Sequence, residues 1–176
     1  MFMKNLKEIV ISNYSSVVID LNNNDWHINI PSMPGWYFIE TDVPISVFVN
    51  LSAPPSEYTN DEGETKKCRN YNLSARAKSH RDDIEKNSLI INSDGIRAVY
   101  SGIHKNLMNR AREHTFAHPG TAALALCRYP ELKEYKWSFH YKELSSFNNF
   151  SNADLALKLG EQMWRAIYGW PLLCSG

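Results

Sequence analysis

Residues 98–118 constrain most strongly what this chain can fold into. A β-prone run ends in the tripeptide Tyr-Ser-Gly at 100–102, and a helix-forming stretch follows at once. In that stretch Arg110 and His114 are four residues apart, so a helix places them on one face, one turn from each other. The sequence therefore predicts a strand that brings a tyrosine to a helix carrying a cation and an imidazole. Taken alone, Arg110 and His114 also fit an ordinary solvated helix surface.

The flanking residues indicate which elements surround this junction. The apolar runs SLIIN and IRAVYSG are separated by residues 93–95, a Ser-Asp-Gly turn typical of β-hairpins. Helical spacing of apolar residues predicts a helix over about residues 105–117. Upstream, a breaker cluster ends at Gly35, and the aromatic, β-prone run after it predicts a strand that carries Tyr37. Alternation of apolar and polar residues predicts a further strand over residues 137–141.

A final helix is predicted over about residues 153–168. Within it, Leu155, Leu159 and Met163 form an apolar stripe that we expect to pack on the core. Glu161 points to the opposite side, among large apolar residues. Its carboxylate lies either on a solvent-facing surface or in a semi-buried site, where it must find a cation.

Composition limits the class of protein without naming it. With 176 residues, of which 43% are hydrophobic, the chain is long enough for one globular domain with a sizeable core. The formal net charge is zero, whereas nucleic-acid-binding domains are often strongly basic. Any interaction with DNA must therefore depend on locally concentrated charge.

The cysteines and the amino terminus favour a cytoplasmic protein. The chain has three cysteines, an odd number, widely spaced and without a CxxC pair, so we expect free thiols in a reducing compartment. The amino-terminal residues lack an apolar run long enough for a signal peptide, and no segment approaches the length of a membrane span. The prediction is a soluble protein that does not enter a membrane.

A charged segment separates the two candidate tyrosine strands. Residues 45–51 suggest a second strand, and residues 53–87, with two prolines and little apolar periodicity, predict a long loop or mobile insertion. The stretch from 66 to 81 contains basic residues and no acidic one: Lys66, Lys67, Arg69, Arg76, Lys78 and Arg81. Such a run can follow the phosphates of a nucleic acid, with Tyr71 available for stacking. An equally good interpretation is a solvated loop balanced by its acidic neighbours.

Several of these features, in this order, resemble the GIY-YIG nuclease family. They are Gly35-Trp36-Tyr37, Tyr100-Ser101-Gly102, Arg110, His114 and Glu161. The resemblance implies an α+β fold in which helices flank a small central sheet, antiparallel or mixed. It implies one nuclease-like domain over residues 1–176, with an N-terminal extension at 1–33 and an insertion at 43–95 that could contact DNA. Cys174 stands where the family often has an asparagine.

The resemblance also implies roles for the site residues. Arg110 would donate hydrogen bonds to the phosphate from its forked guanidinium group, which is always charged. Glu161 would bind one Mg²⁺ or Mn²⁺. Tyr37 is the favoured general base and Tyr100 a positioning group, although the division between the tyrosines is open. A free tyrosine has a pKa of about 10, so a base role requires Arg110 and the metal to lower it. His114 would receive the proton onward.

These roles predict a metal-dependent endonuclease that hydrolyses double-stranded DNA, in a restriction-like or another biological setting. The alternative is a nucleic-acid-binding module on the same fold that no longer cuts. A further rival is a zinc protein using His114, His118 and Cys127, although the HxxxH spacing here lacks the glutamate of HExxH. The sequence leaves open whether a homodimer is needed for double-strand cuts.

Overall fold

A four-stranded antiparallel sheet forms the centre of the molecule. The computed structural model describes residues 2–79, 95–144 and 152–174. Its strands are β1 (Ser15–Val18), β2 (Gly35–Thr41), β3 (Glu57–Thr59), β4 (Thr65–Lys67), β5 (Arg97–His104) and β6 (Trp137–Glu143). Its helices are α1 (Phe2–Ile11), α2 (Ile45–Asn50), α3 (described over residues 73–79), α4 (Leu107–Thr115) and α5 (Ala153–Tyr168). The central sheet has the order β1-β6-β2-β5, and β3 and β4 form a separate hairpin. The expected α+β class with a central antiparallel sheet is confirmed.

The alternation of side chains along β2 divides the core into two layers. Tyr37 and Ile39 face one side, where they pack with residues of α4 such as Leu107. Trp36 faces the other side, where it packs with Trp164 of α5. Helix α4 therefore covers one face of the sheet, whereas α1 and α5 cover the other.

The N-terminal region is built into this sheet. Strand β1 pairs with β6, and α1 packs against α5. The ammonium group of Lys142, on a largely buried side chain, donates to the carbonyl oxygens of Ile9 at 2.8 Å and Ser12 at 3.0 Å. These bonds satisfy carbonyls at the end of α1, which lack partners within the helix. No helix among the described residues is long and apolar enough to cross a membrane.

The prediction of a long loop over residues 53–87 is wrong for its described part, residues 53–79, and the strand predicted just before it is also wrong. Residues 45–50, predicted as a strand, form α2, because Pro44 precedes the helix and the apolar residues Ile45, Phe48 and Leu51 recur every three positions. Phe48 is fully buried and packs edge-to-face on Trp137. The β3–β4 hairpin and α3 follow. The expected hairpin strand at 88–92 and most of its turn lie outside the described residues.

The final helix has the expected bounds but buries a different face. Asn152 caps it by accepting from the Leu155 backbone N–H. The stripe expected on the core is only partly correct: Leu159 and Met163 are half-buried against the core, but Leu155 is 47% exposed. The buried face is instead that of Leu157, Gly160 and Trp164. This face is preferred because Gly160 lets the helix approach the Trp36 ring directly.

We predict that Gly160→Ala destabilises the protein by up to about 2 kcal/mol. Alanine normally favours a helix over glycine by about 1 kcal/mol, but the added methyl group would overlap the Trp36 ring, and overpacking a core costs about 1–3 kcal/mol. The Trp36 ring cannot easily withdraw, because its indole N–H donates to the Leu157 carbonyl. Urea unfolding measures the change, with the exposed Gln162→Ala on the same helix as control. An unchanged or raised midpoint for Gly160→Ala would show that the helix is not packed this closely.

Candidate active site

Three of the predicted site residues meet at the hydroxyl of Tyr37. The Arg110 Nε–H donates to this oxygen at 3.0 Å, and His114 Nε2 lies 2.9 Å from it. Tyr37 comes from β2, whereas Arg110 and His114 come from consecutive turns of α4, whose first turn is capped by the side chain of Asn106. Arg110 and His114 are therefore not a solvated helix surface, and His114 is fully buried.

A second bond fixes the protonation of His114. The backbone N–H of Leu124 donates to His114 Nδ1 at 3.3 Å, so this nitrogen must carry a lone pair. Burial, reinforced by the positive charge of Arg110, lowers the pKa of His114 well below its ordinary value, which keeps the ring neutral. The neutral ring must then carry its proton on Nε2 and donate it to Tyr37. In this arrangement His114 is a donor to Tyr37, and it cannot take a proton from it as the expected relay requires.

The Tyr37 hydroxyl accepts two hydrogen bonds and is protonated at neutral pH. Burial raises the pKa of Tyr37 above its ordinary value, and the charge and hydrogen bond of Arg110 oppose that rise without overcoming it. Arg110 alone therefore does not bring the pKa of Tyr37 below its ordinary value. A hydroxyl that accepts twice still has its own proton to donate.

Tyr100 lies beside this cluster. Its ring stacks on Tyr37 with 6.2 Å between centroids and lies 4.7 Å from the His114 ring. Burial raises the pKa of Tyr100 as well. Its hydroxyl donates to the hydroxyl of Tyr71 at 3.5 Å. Tyr100 thus supports the cluster through packing and does not bond Arg110 directly, which fits a positioning group.

Close contacts explain why each of the two tyrosine motifs has a glycine, Gly35 in the first and Gly102 in the second. Gly102 is the register partner of Tyr37 across β2 and β5, and a Cβ at Gly102 would lie 2.5 Å from the Tyr37 hydroxyl oxygen. A Cβ at Gly35 would overlap the carbonyl oxygen of Lys142. Both positions need glycine because the Tyr37 ring lies across one and a neighbouring strand approaches the other.

Glu161, on α5, approaches the Tyr37 cluster from the opposite face of the sheet. Its carboxylate accepts from Arg165 Nη2 at 2.6 Å, so the predicted cation partner exists and is Arg165. Burial raises the pKa of Glu161, and Arg165 opposes that rise. Tyr37 and Glu161 both line one narrow cavity, with Ser101 and Gly102 between them on β5. Glu161 is therefore near the cluster, but it contacts Arg165 and not Arg110.

The C-terminal segment lies on the same edge of the sheet. The Leu173 N–H donates to the Val99 carbonyl at 2.8 Å, and the Ser101 N–H donates to Cys174 Sγ at 3.3 Å. Arg165 Nη2 also lies 3.5 Å from this sulfur. Cys174 is buried between Ser101 and Arg165, within the polar group that includes Glu161. All three cysteines are free thiols, as predicted.

The predicted basic run is divided among several elements. Lys66 and Lys67 are exposed on β4, where Lys66 pairs with Glu64 at 2.9 Å. Arg69 is exposed, and Lys78 is exposed on α3. Arg76 instead turns inward, with its guanidinium 3.7 Å above the Tyr71 ring. Arg81 lies outside the described residues.

Sequence reasoning missed the groups that neutralise the two charged site residues. Arg110 Nη1 pairs with Glu113 at 2.8 Å and also donates to the Ala122 carbonyl at 3.0 Å. The i, i+3 spacing of Arg110 and Glu113, and the i, i+4 spacing of Glu161 and Arg165, are the signals that could have indicated these pairs.

No protein-family model, curated protein or solved structure matches the chain. The chemistry of the site must therefore be argued from its own residues.

The donors around Glu161 are hard oxygens, of the kind that Mg²⁺ takes together with waters and substrate phosphate oxygens. In this structure the Arg165 guanidinium bonds the Glu161 carboxylate and both Ser101 oxygens. Within residues 2–79, 95–144 and 152–174 no group of three or more His, Cys, Asp and Glu side chains could hold a metal. Both ring nitrogens of His114 are bonded within the protein, so the zinc rival lacks one of its three ligands.

Proposed function

We propose that this protein is a metal-dependent endonuclease that hydrolyses double-stranded DNA, similar to the GIY-YIG nucleases. The observation that carries the proposal is the convergence of Tyr37, Arg110 and His114 at one hydroxyl oxygen, from segments far apart in the chain. The order of elements agrees with it: motif strand β2, motif strand β5, helix α4, strand β6 and helix α5.

In this proposal Arg110 binds the scissile phosphate. Its side chain is held by Tyr37, Glu113 and the Ala122 carbonyl, so its fork is already oriented before substrate arrives. Charge on a transferring phosphoryl group is stabilised best by such a fixed cation. Glu161 and Ser101 would hold a Mg²⁺ or Mn²⁺ ion, which would offset phosphate charge when bound.

Tyr37 orients this arrangement. As a neutral phenol it holds Arg110 by accepting from Nε and has one proton left for a donor bond. The base role suggested by the resemblance requires the pKa of Tyr37 to fall when substrate binds. His114 fixes the Tyr37 ring by donating to its oxygen.

A second candidate function is a DNA-binding module that does not cut. It is favoured by the closed state of the site, in which Tyr37 is 2% exposed and both charged residues have an internal partner. On this alternative the Glu161–Arg165 pair stays formed, and exposed lysines such as Lys66 and Lys67 contact the phosphates.

The two functions differ in one experiment on purified protein and supercoiled plasmid. We expect nicked and linear DNA with Mg²⁺ or Mn²⁺, and no cleavage after the metal is removed with EDTA. Sequencing of the ends would then show whether cuts occur at a defined site. Plasmid that stays intact with either metal, while its band shifts on a native gel, would establish the binding module instead.

A further inference from the structure

Four aromatic rings stack in a row from the core towards solvent. The Phe139 and Tyr37 centroids are 5.1 Å apart, Tyr37 and Tyr100 are 6.2 Å apart, and Tyr100 and Tyr71 are 6.0 Å apart. The guanidinium of Arg76 covers the outer ring at 3.7 Å from its centroid. The first three rings are buried, whereas Tyr71 and Arg76 are only partly buried, so this end of the stack is nearest to solvent.

Tyr71 contacts two guanidinium groups at once. Arg110 Nη2 donates to its hydroxyl at 3.5 Å, while Arg76 lies over its ring face. Arginine binds an aromatic face through cation–π attraction and keeps its N–H edge free for other acceptors. Arg76 Nη1 is fixed by the Leu173 carbonyl at 2.5 Å. Tyr71 therefore sets the spacing between two planar cations.

The segment that carries Tyr71 is firmly attached to the α4 side of the sheet. The Tyr71 N–H donates to the Ala123 carbonyl at 2.9 Å. The side chain of the neighbouring Asn70 donates to the His118 and Thr121 carbonyls at 2.8 and 3.0 Å. Asn70 is buried, and these bonds satisfy its amide group. The position of Tyr71 is thus part of the fold and does not depend on a mobile loop.

We propose that residues 70–76, between the two tyrosine motifs, complete the site, with Arg76 as a second phosphate-binding arginine beside Arg110 and Tyr71 as the positioning residue that holds both. This inference rests on the proposed function, since it names further residues for the same substrate. A phosphodiester group approaching from solvent meets the Arg76 end of the stack first. There the Arg76 Nη2 group and the remaining Nη2 N–H of Arg110 can each donate to one of its non-bridging oxygens, because the other N–H groups of Arg110 already have partners. Each phosphate contact of this kind adds to the salt dependence of DNA binding.

The test compares binding and cleavage in single variants. A fluorescein-labelled 20-base-pair duplex is titrated in Ca²⁺ over a range of salt, and plasmid cleavage is followed in Mg²⁺. For Arg76→Ala we expect the slope of log Kd against log salt to fall by about 1 and kcat to fall about 100-fold. Arg76→Lys should restore the slope, because the charge returns, but not kcat, because a point charge replaces the fork. Tyr71→Phe should leave Kd within about twofold and lower kcat about 10-fold, since the ring stays and the bond to Arg110 is lost.

The controls separate this role from a structural one. Lys133→Ala removes the same charge from an exposed position of the chain and should change neither slope nor kcat. If Arg76→Ala is folded and keeps the wild-type slope and kcat, the inference is overturned while the proposed function stands. The same holds if Tyr71→Phe cleaves at the wild-type rate. If the wild-type protein neither binds nor cuts DNA, the proposed function and this inference fail together.

Discussion

Replacing Arg110 by alanine is expected to lower the rate of plasmid cleavage by about 10³-fold, with DNA binding reduced far less. Deleting one preorganised donor to a reacting centre typically costs 10²–10³-fold, and arginines on transferring phosphoryl groups can contribute more. The effect should be at the upper end here, because Arg110 also fixes Tyr37 and Tyr71 through its Nε and Nη2 groups. Single-turnover cleavage in Mg²⁺ measures the change without interference from product release.

Arg110→Lys provides the matched comparison. Lysine keeps the charge but lacks the planar five-donor fork by which Arg110 bonds Tyr37, Tyr71, Glu113 and Ala122, so we expect only partial recovery. Circular dichroism and the unfolding midpoint establish that each variant is folded, since Arg110 also pairs with Glu113. Undiminished cleavage by a folded Arg110→Ala protein would exclude Arg110 from the chemistry, whatever its contacts.

Glu161→Gln is expected to abolish the response of cleavage to Mg²⁺ and Mn²⁺, again with a loss of about 10³-fold. The amide keeps the size of the side chain and removes the negative charge that a hard cation requires. Neutral oxygen donors such as the Ser101 hydroxyl and carbonyl cannot replace that charge. Glu131→Gln, on an exposed residue, makes the same chemical change and should leave cleavage unaltered.

The pH dependence provides an independent check on Glu161. Burial raises the pKa of the Glu161 carboxyl, and Arg165 opposes the rise. Protons therefore compete with the metal for this carboxylate at a higher pH than they would at an exposed glutamate, whose pKa is about 4.3. Cleavage should therefore decline on the acid side before the ordinary glutamate range is reached, and added Mn²⁺ should move the decline to lower pH. If the loss of cleavage at low pH does not depend on metal concentration, a group other than Glu161 is titrating.

Local patterns in the sequence predicted the parts of the site that lie close together in the chain. The strand that carries Tyr100 and the i, i+4 pair of Arg110 and His114 depend on periodicity and turn chemistry alone, and both are present. The strand extends to His104, two residues beyond its predicted end at Gly102, because Ile103 and His104 still pair with β2. The bounds of the last helix were also accessible, because Asn152 is a good N-cap and Gly169 ends it.

Other features of the fold depend on contacts between residues far apart in the chain, which local sequence patterns do not predict. The last helix has apolar residues on two sides, and the fit of Gly160 against Trp36 selects the buried side. Similarly, Tyr71 enters the site only because Asn70 anchors its segment to the loop after α4. Neither contact has a periodic signal, since the partners are far apart in the chain.

The close approach of Gly102 to Tyr37 also limits how this protein can vary. A side chain at 102 would occupy the space of the Tyr37 phenol, and no rotation of the phenol is free while Arg110 and His114 hold its oxygen. Position 102 can therefore accept a larger residue only if position 37 loses its ring in the same variant. A larger residue in the second motif thus requires a change in the first, although the two motifs are distant in the sequence.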